Sequence, residues 1–543
     1  HHTHFDGIIT TQKLGFTPAR YACTLSESNA IFPGLSSALE SLVLRLFPND
    51  ETKRKGKELE EVKGIRFLSP ELDQLLGNYC INDVDITYDS HQVMCPHLIQ
   101  NEHDLINLII RMYTEPHFIL DREVVHTHLK YLQVERERII KASGLDAKTL
   151  GSPKKFPAYV ESLGIQVPLK KNDKGKLIPA FAKNDTGFQD LQRDHPEYQH
   201  IWDARTIIKS TQERSRCKRL LKATLNDNQL PVPLKISGAA NSHRLSGDEA
   251  INLQNLKRGS PLRKALTAPP GYKVQVADSS QIETRVLCDQ AGQDNITEQF
   301  RNGDDTYAIL ASSIYGHPVN KKEHPTKRFV GKTARLGLGY GMGWLTFATE
   351  LRTGAKGEKV AISDADAKHI VYDVFRPENN FIKDLWGIAE HQWLPHMLLK
   401  NEPLQFGPLT FMRNKIILPN GMILRYPNLK WSPTNIEGTQ GQWSYFDGIK
   451  RVKIFGAKLV ENIIQALARI IVFYQMLEYD KWLRLNNIGW VVLTVHDEIV
   501  SIISEHAIKV ANAMIAKLMR RPPSWAPNLP LDQETVVGDQ YKK

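Results

Sequence analysis

The chain contains few cysteines and no long apolar run, and each absence excludes a class of protein. Five cysteines among 543 residues are widely spaced and form no CxxC pair, so neither a disulfide framework nor a zinc site is indicated. No apolar run approaches the roughly 18 residues of a membrane span, and HHTHFDGIITTQKLG lacks the features of a secretory signal. No internal repeat or low-complexity tract is evident. These absences predict an intracellular protein with reduced cysteines and no membrane association.

Composition adds a bias toward an anionic partner. The net charge is +10 and the sequence pI is about 9.1, which favours a polyanion because neutralising phosphates releases condensed counterions. Many basic enzymes touch no nucleic acid, so charge alone leaves the partner open. With 41% hydrophobic and 24% charged residues, the chain is typical of a globular protein with several domains.

Two segments place a carboxylate at the end of an apolar strand. In KVQVAD, valines alternate with polar residues before Asp278, and SSQIETRVLCDQAG follows with helical spacing. In VVLTVHDEIVSII, apolar runs flank Asp497, which predicts a hairpin with an acidic tip. Either aspartate alone is better explained as an ordinary turn residue.

Taken together, the two carboxylates suit metal-assisted phosphoryl transfer. Two Mg²⁺ ions can stabilise the attacking and leaving oxygens of an in-line displacement, and such hard cations take oxygen ligands. We therefore predict Asp278 and Asp497 as ligands of two Mg²⁺ ions, with Mn²⁺ as a substitute. The main-chain carbonyl of Ser279 is predicted to complete one site.

Between these segments, KRFVGKTARLGLGYG predicts a helix with cations on one side. Arg328 and Lys332 lie one turn apart, and Lys327 and Arg335 flank them. Like charges at this spacing are destabilising unless an anion is present, and a triphosphate would supply one.

The same row of this helix continues toward a glycine-rich end. It passes through Leu336 and Tyr340, where small residues would let a base or backbone approach closely. A solvated basic helix explains the charges but not the alternate glycines, which are Gly337, Gly339, Gly341 and Gly343.

Four motifs in this order resemble those of family A (DNA polymerase I-like) DNA polymerases. DSSQIETR resembles motif A, RFVGKTARLGLGYG resembles motif B, and VHDE resembles motif C. HRLSGDEAINLQNL, from His243, is similar to the segment that grips primer and template. The resemblance covers about residues 200–543.

The resemblance implies a role for each matching residue. Asp278 and Asp497 would be the catalytic metal ligands, and Lys332 would protonate the pyrophosphate leaving group. Glu283 would exclude a ribose 2′-hydroxyl, and Tyr340 would stack near the nascent pair. The deoxynucleotide site would comprise Arg328, Lys332, Leu336, Tyr340, Glu283, Gln281 and His496, and the DNA contacts would be Arg244, Asn252, Gln254, Asn255, Gln465 and Glu498.

Two positions depart from the usual family pattern. Leu336 stands where Phe or Tyr is usual, at the position that governs sensitivity to dideoxynucleotides; leucine there resembles phage polymerases. A core leucine is the alternative interpretation. Ser279 stands where an aromatic residue is common in motif A, so other side chains must fill the space behind this strand.

The first 95 residues resemble part of a 3′–5′ exonuclease domain. Tyr79 and Asp83, one helical turn apart, resemble its third motif, and HHTHFDG resembles its second at Asp6. His2 stands where that motif has Asn, and the usual Asp-x-Glu pair would lie upstream. A site without these carboxylates should not hold two ions in working geometry, so proofreading is expected to be weak or absent.

The sequence therefore predicts an α+β right-hand polymerase with a partial RNase H-like domain. The expected divisions are an exonuclease-like region (1–95), thumb (96–225), palm (226–290 and 430–543) and fingers (291–429). The expected function is template-directed DNA synthesis from deoxynucleoside triphosphates on primer-template DNA, in phage genome replication. We expect a monomer in the cytoplasm of a bacterial host, and leave a processivity factor or helicase open as a partner.

Two rivals remain from the sequence. A single-subunit RNA polymerase shares the two aspartates and the cationic helix, although Glu283 argues against it. A non-catalytic DNA-binding protein would retain the fold without synthesis. The retained Asp278, Asp497, Arg328 and Lys332 argue against that decay, because charges placed together without a ligand are costly to keep.

Overall fold

A computed structural model describes residues 1–172, 175–355, 357–433 and 441–542. The chain forms two compact units. The first comprises residues 1–117, 232–255 and 270–539, and the second comprises residues 118–231, 256–269 and 540–543. All five cysteines are free thiols, as predicted. Across the described ranges, the helices are too short or too polar to cross a membrane.

The first part of the chain is mainly helical. Two long helices, Gln100–Thr114 and Arg122–Ala142, are separated by the short strand Phe118–Leu120. The elements are α1 (Thr3–Gln12), α2 (Thr24–Ile31), α3 (Leu39–Leu46), α4 (Pro70–Met94), α5 (Gln100–Thr114), β1 (Phe118–Leu120), α6 (Arg122–Ala142), α7 (Ala147–Gly151), α8 (Lys155–Ser162), β2 (Leu169–Lys171), β3 (Leu177–Pro179), α9 (Thr186–Asp194), α10 (Gln199–Lys209), α11 (Gln212–Ala223) and β4 (Gln229–Leu230).

The middle of the chain alternates short strands with helices. Two stretches, Ile370–Phe375 and Ala389–Trp393, are wider π-helical turns. The elements are β5 (Leu234–Ala239), β6 (Arg244–Gly247), α12 (Pro261–Lys264), β7 (Leu266–Thr267), β8 (Tyr272–Ser279), α13 (Ile282–Ala291), α14 (Asp294–Arg301), α15 (Thr306–Tyr315), α16 (Pro325–Leu338), α17 (Trp344–Thr353), α18 (Asp364–His369), α19 (Arg376–Glu378), α20 (Asn380–Ile388) and α21 (Leu394–Leu399).

The last part contains small antiparallel sheets, one long helix and the closing hairpin. The elements are β9 (Leu404–Phe406), β10 (Leu409–Met412), β11 (Lys415–Ile417), β12 (Ile423–Arg425), β13 (Lys430–Ser432), β14 (Gln442–Phe446), β15 (Arg451–Ile454), α22 (Gly456–Leu485), β16 (Gly489–Val495), β17 (Glu498–Ser504), α23 (Ile508–Met519) and β18 (Gln533–Gly538).

Residues 1–95 form α1 to α4, with no strand in this fully described stretch. Helix α4 begins at Pro70, where the Ser69 hydroxyl accepts from the Leu72 N–H and so satisfies one free amide of the first turn. The RNase H-like character expected of this region remains a prediction.

The second unit contains a sheet of order β4-β1-β7 and the helices α6 to α12. Its helices bury a cluster that includes Phe156, Phe181, Phe188 and Trp202. The aromatic rings of this cluster meet edge to face, with Phe188 and Trp202 centroids 6.1 Å apart.

The first unit is organised around an antiparallel sheet of order β16-β17-β8-β18. Helices α22 and α23 pack on it, and the apolar residues that alternate along β8 and β17 are buried. Gln275, between two buried valines of β8, accepts a hydrogen bond from the Tyr479 hydroxyl and donates to Asn512. Burial on both sides of β8 and β17 fixes their register, because a slip of one residue would invert every side chain.

A buried ion pair joins two helices of this unit. Glu102 on α5 and Arg469 on α22 are both almost wholly inaccessible, and Arg469 Nη2 donates to Glu102 Oε2 at 2.7 Å. The second guanidinium nitrogen, Nη1, donates to the other carboxylate oxygen, and Arg469 Nε donates to the His243 carbonyl at 3.2 Å. Removing one partner from such a pair leaves an uncompensated buried charge.

We therefore expect Glu102→Gln to lower the free energy of unfolding by about 3 kcal/mol. The matched control is Glu135→Gln, which breaks an exposed pair with Arg138 on α6 and should change it by about 0.5 kcal/mol or less. Guanidinium unfolding monitored by circular dichroism measures both. Equal effects of the two substitutions would contradict the stabilising role of the buried pair.

Candidate active site

Strand pairing brings Asp278 and Asp497 to the same end of the central sheet. Asp278 on β8 is in register with Glu498 on β17, and Asp497 immediately precedes Glu498 in a two-residue turn. The Ser279 N–H donates to the Asp497 main-chain carbonyl at 2.9 Å. His496 completes the turn with φ of 58°, a left-handed conformation. The strand, the hairpin and its acidic tip, all predicted from the sequence, are present.

The charge of Asp278 perturbs the carboxyl group of Asp497. Partial burial, and next the charge of Asp278, raise the pKa of Asp497 to about 7. Glu283 raises it further, and Arg244 opposes the shift. A site that resists carrying two negative charges is one in which a divalent cation would be strongly favoured. The donors at this end of the sheet are carboxylate and carbonyl oxygens, which suit Mg²⁺ or Mn²⁺.

Glu283 and Gln281 border this acidic centre. Arg244 donates a hydrogen bond to the Glu283 carboxylate, so the residue expected to contact DNA and the residue expected to exclude ribose form an ion pair. Gln281 adopts φ of 54° just before α13, and its side-chain oxygen accepts from the Thr306 hydroxyl at 3.0 Å.

The cationic helix is α16, and its charges are distributed differently from the prediction. Lys332 is exposed, and Arg328 donates from Nε to Asp305 Oδ2 at 2.5 Å. Arg335 was predicted to flank these cations on the same side. Instead it is buried and donates to Asn379 Oδ1 at 2.7 Å, because its position on the helix faces the interior.

Leu336 lies on the outer side of α16. Its exposed fraction is 37%, whereas Leu338 is 1% exposed, so the alternative of a core leucine is wrong. The Tyr340 hydroxyl is buried without a hydrogen-bond partner, and burial is the first cause of its raised pKa. An unsatisfied buried hydroxyl commonly marks a place where a further polar partner belongs.

Three of the four alternate glycines lie close to other atoms of the protein rather than beside open space for a base. A β-carbon at Gly337 would lie 2.6 Å from Met342, one at Gly339 3.1 Å from the Arg335 carbonyl, and one at Gly341 2.7 Å from Ala457. At Gly343 nothing lies within 4 Å. The close approach predicted from these glycines is therefore mainly to neighbouring side chains and backbone.

The sequence analysis did not single out Asp305, which precedes α15, or Tyr307, which lies within α15. Asp305 accepts the Arg328 hydrogen bond and also caps α15 by accepting from the Ala308 N–H. The guanidinium of Arg328 lies 5.3 Å from the centre of the Tyr307 ring. An aspartate before an apolar helix predicts a cap, and only the packing of α15 on α16 shows its second role.

The residues predicted to contact DNA all lie in the first unit, but their hydrogen bonds and burial differ. Gln254 donates to the Thr494 carbonyl at 3.0 Å, which ties this segment to the hairpin. Gln465 donates to Glu461 at 3.1 Å, and the side-chain oxygen of Asn252 is buried without a partner. Asn255 and His496 are exposed, whereas Glu498 is buried.

The residues of the predicted exonuclease remnant are not gathered into one site. Lys55 Nζ donates to the Tyr79 hydroxyl at 2.6 Å and to the Asp83 carboxylate at 2.5 Å. The Asp83 carboxylate is therefore already paired with a cation of the chain. Asp6 is exposed on α1, which packs on α5, whereas α4 packs on α2 and α3. Among the described contacts, none joins the Asp6 side chain to Tyr79 or Asp83.

Comparison with known proteins finds similarity to DNA polymerases. The family model of DNA polymerase family A matches residues 122–376. A DNA polymerase of Bacillus phage SP02 is 25% identical across 97% of this chain and 86% of its own length. DNA polymerase I of Mycobacterium bovis is 29% identical across 37% of this chain, a match that spans 22% of that longer protein.

A solved structure shares the fold. The POL domain of Pol1 from M. smegmatis, in complex with DNA primer-template and dNTP, superposes with a TM-score of 0.65 at 19% identity, covering 95% of this chain and 81% of that chain. The chain thus has the mixed helix and strand fold of a polymerase domain. Residues 122–376 thus resemble DNA polymerase family A, and the phage relative extends the similarity to DNA polymerases over most of the chain.

Proposed function

We propose that this chain extends a primer 3′-hydroxyl with deoxynucleotides under the direction of a DNA template. The observation that carries the proposal is the convergence of Asp278 and Asp497 at one end of the sheet, where partial burial and mutual repulsion raise the pKa of Asp497. The phage relative named as a DNA polymerase supports the same activity.

Two Mg²⁺ ions, or Mn²⁺ in their place, would be held by Asp278, Asp497 and the main-chain carbonyl of Ser279. Bound there, they would supply charge stabilisation for the attacking and leaving oxygens of an in-line displacement at the α-phosphate. Ser279 is buried and hydrogen-bonded to the hairpin turn, which holds this strand end in place. The chain itself thus provides the rigid oxygen ligands.

The cations of α16 would bind the triphosphate. Arg328 would exchange its Asp305 partner for phosphate oxygens, since both are anionic acceptors for the same guanidinium. Lys332, one turn further along and exposed, would donate a proton to the pyrophosphate oxygen as it leaves. Asp305 would then restore the ion pair after pyrophosphate departs.

Glu283 would select deoxynucleotides by occupying the space of a ribose 2′-hydroxyl. Its ion pair with Arg244 fixes the carboxylate beside the acidic centre, which supports a steric and polar role rather than metal binding. Preferred incorporation of ribonucleotides in a primer-extension assay would instead favour the single-subunit RNA polymerase activity.

The proposed biological setting is replication of a phage genome in the cytoplasm of a bacterial host. The phage relative and the leucine at position 336 support it. We further propose the thumb, palm and fingers divisions given above, and action as a monomer on primer-template DNA. A processivity factor or helicase remains an open partner. Proofreading would be weak or absent, since Lys55 neutralises Asp83.

Replacing Asp497 with Asn should lower primer extension at least about 10³-fold, because one metal-binding oxygen charge is lost. Duplex affinity should change less than about threefold, since the substitution is isosteric and removes no DNA contact. Asp539→Asn, at an exposed pair with Lys273, is the control and should extend normally. The same gel reports primer shortening, which is expected to be near background. Undiminished extension by the Asp497 variant would overturn the assignment.

The raised pKa of Asp497 predicts a pH-dependent cost to the metal-free fold. Its folded pKa of about 7 exceeds the ordinary 3.8, so the folded state favours the protonated acid. The contribution of Asp497 to wild-type stability should therefore fall as pH rises from about 4 to about 7, because Asp497 becomes charged beside Asp278 and Glu283. The Asp497→Asn variant escapes this cost and should gain about 2–4 kcal/mol relative to wild type over that interval.

Guanidinium unfolding in EDTA at several pH values measures this difference. A stability difference between variant and wild type that stays constant from pH 4 to 8 would contradict the raised pKa of Asp497.

The exposed side chain of Leu336 predicts a role in sugar discrimination. Leu336→Phe and Leu336→Tyr should change the ratio of dideoxynucleotide to deoxynucleotide kcat/KM by about tenfold or more, because the larger rings would contact the sugar. Leu399→Phe, at an exposed leucine on α21, is the control. If both Leu336 variants keep the wild-type ratio, the side chain does not face the sugar.

A further inference from the structure

The start of α1 lies beside the turn that follows β6. There one imidazole nitrogen of His2, one imidazole nitrogen of His4 and one carboxylate oxygen of Asp248 all lie within 4.8 Å of one another. Glu249 adds a second carboxylate, with Oε1 3.2 Å from His2 Nε2. All four residues belong to the first unit, and none belongs to the centre formed by Asp278 and Asp497.

His4 is the most constrained member of this cluster. It is 5% exposed, and its Nε2 is buried without a hydrogen-bond partner. A buried nitrogen left unsatisfied costs on the order of 1–3 kcal/mol, so such an atom requires an explanation. Its ring contacts Tyr113, with centroids 4.8 Å apart, which limits how far it can rotate toward water.

Two imidazole nitrogens with one or two carboxylates form a donor set typical of Zn²⁺. Mg²⁺ prefers oxygen ligands and is poorly matched to this set. Tetrahedral Zn²⁺ with bonds of about 2.0–2.1 Å places its ligand atoms about 3.4 Å apart. The cluster therefore needs a contraction of up to about 1.4 Å between its ligand atoms, and rotation of the half-exposed His2 can bring its nitrogen closer to the other two.

We propose that His2, His4 and Asp248 bind one Zn²⁺ ion, with Glu249 in the fourth position. The ion fastens the first turn of α1 to the turn after β6. Because Asp248 follows β6, which begins at Arg244, the site also steadies the segment that carries Arg244.

Zinc uptake by the full chain tests this directly. The metal-free protein is titrated with Zn²⁺ against a chromophoric chelator in excess Mg²⁺, at neutral pH. Variants His2→Gln and Asp248→Asn remove ligands at partly exposed positions, which limits any effect on folding. His506→Gln, an exposed histidine distant in sequence, is the matched control, and circular dichroism confirms that each variant is folded.

We expect one Zn²⁺ per wild-type chain, with affinity reduced at least tenfold in the His2 and Asp248 variants and unchanged in the His506 variant. The Asp278→Asn/Asp497→Asn double variant should also retain one Zn²⁺, which separates this site from the proposed catalytic centre. Absence of tight uptake by wild type, equal affinity in all single variants, or loss of zinc only in the double variant would each overturn the proposal.

Discussion

The structure depends on two like charges held together at the end of a sheet. β8 and β17 pair in a register that places Asp278 opposite Glu498, and the turn of the hairpin then places Asp497 beside them. The Ser279 amide is directed to the Asp497 carbonyl rather than to a carboxylate, and the backbone hydrogen bond at Asp497 only partly offsets the raised pKa of that side chain. The apolar residues of both strands enforce the register, so core packing stabilises an acidic centre that would otherwise separate.

Around this centre, charges expected to bind substrates are paired with one another. Arg328 is matched by Asp305, and Arg244 by Glu283. Half-buried cations would be costly without an anion, and in the proposed function Asp305 stands in for phosphate at Arg328 until substrate arrives. Because that exchange would replace one charge-assisted hydrogen bond with another, the net burial of charge would change little on binding.

The elements that could be predicted from the sequence were those with a clear hydrophobic or charge periodicity. Alternating valines identified β8, apolar runs identified the hairpin, and one-turn spacing identified α16. The family resemblance, rather than periodicity, suggested roles for Glu283 and the DNA-contacting residues. The polymerase fold was confirmed by comparison, and residues 122–376 match the family model of DNA polymerase family A, whereas the residue roles and domain divisions remain proposals.

What the sequence did not predict depends on contacts between distant segments. Arg335 carries the same charge as its neighbours, and only the position of Asn379 shows that it faces inward. Lys55 reaches Asp83 across 28 residues, and His4 meets Asp248 across a still longer separation. The alternate glycines from Gly337 onward were predicted to leave space for a base, although Met342 and Ala457 already fill the space beside Gly337 and Gly341.

The most direct measurement of the central claim is anomalous diffraction from crystals grown with Mn²⁺, primer-template DNA and a non-hydrolysable deoxynucleotide. The account predicts two anomalous peaks about 3.5–4 Å apart, both within bonding distance of Asp278 and Asp497 carboxylate oxygens. Peaks ligated by only one of these aspartates, or Mn²⁺ bound elsewhere in the chain with this sheet end empty, would contradict it.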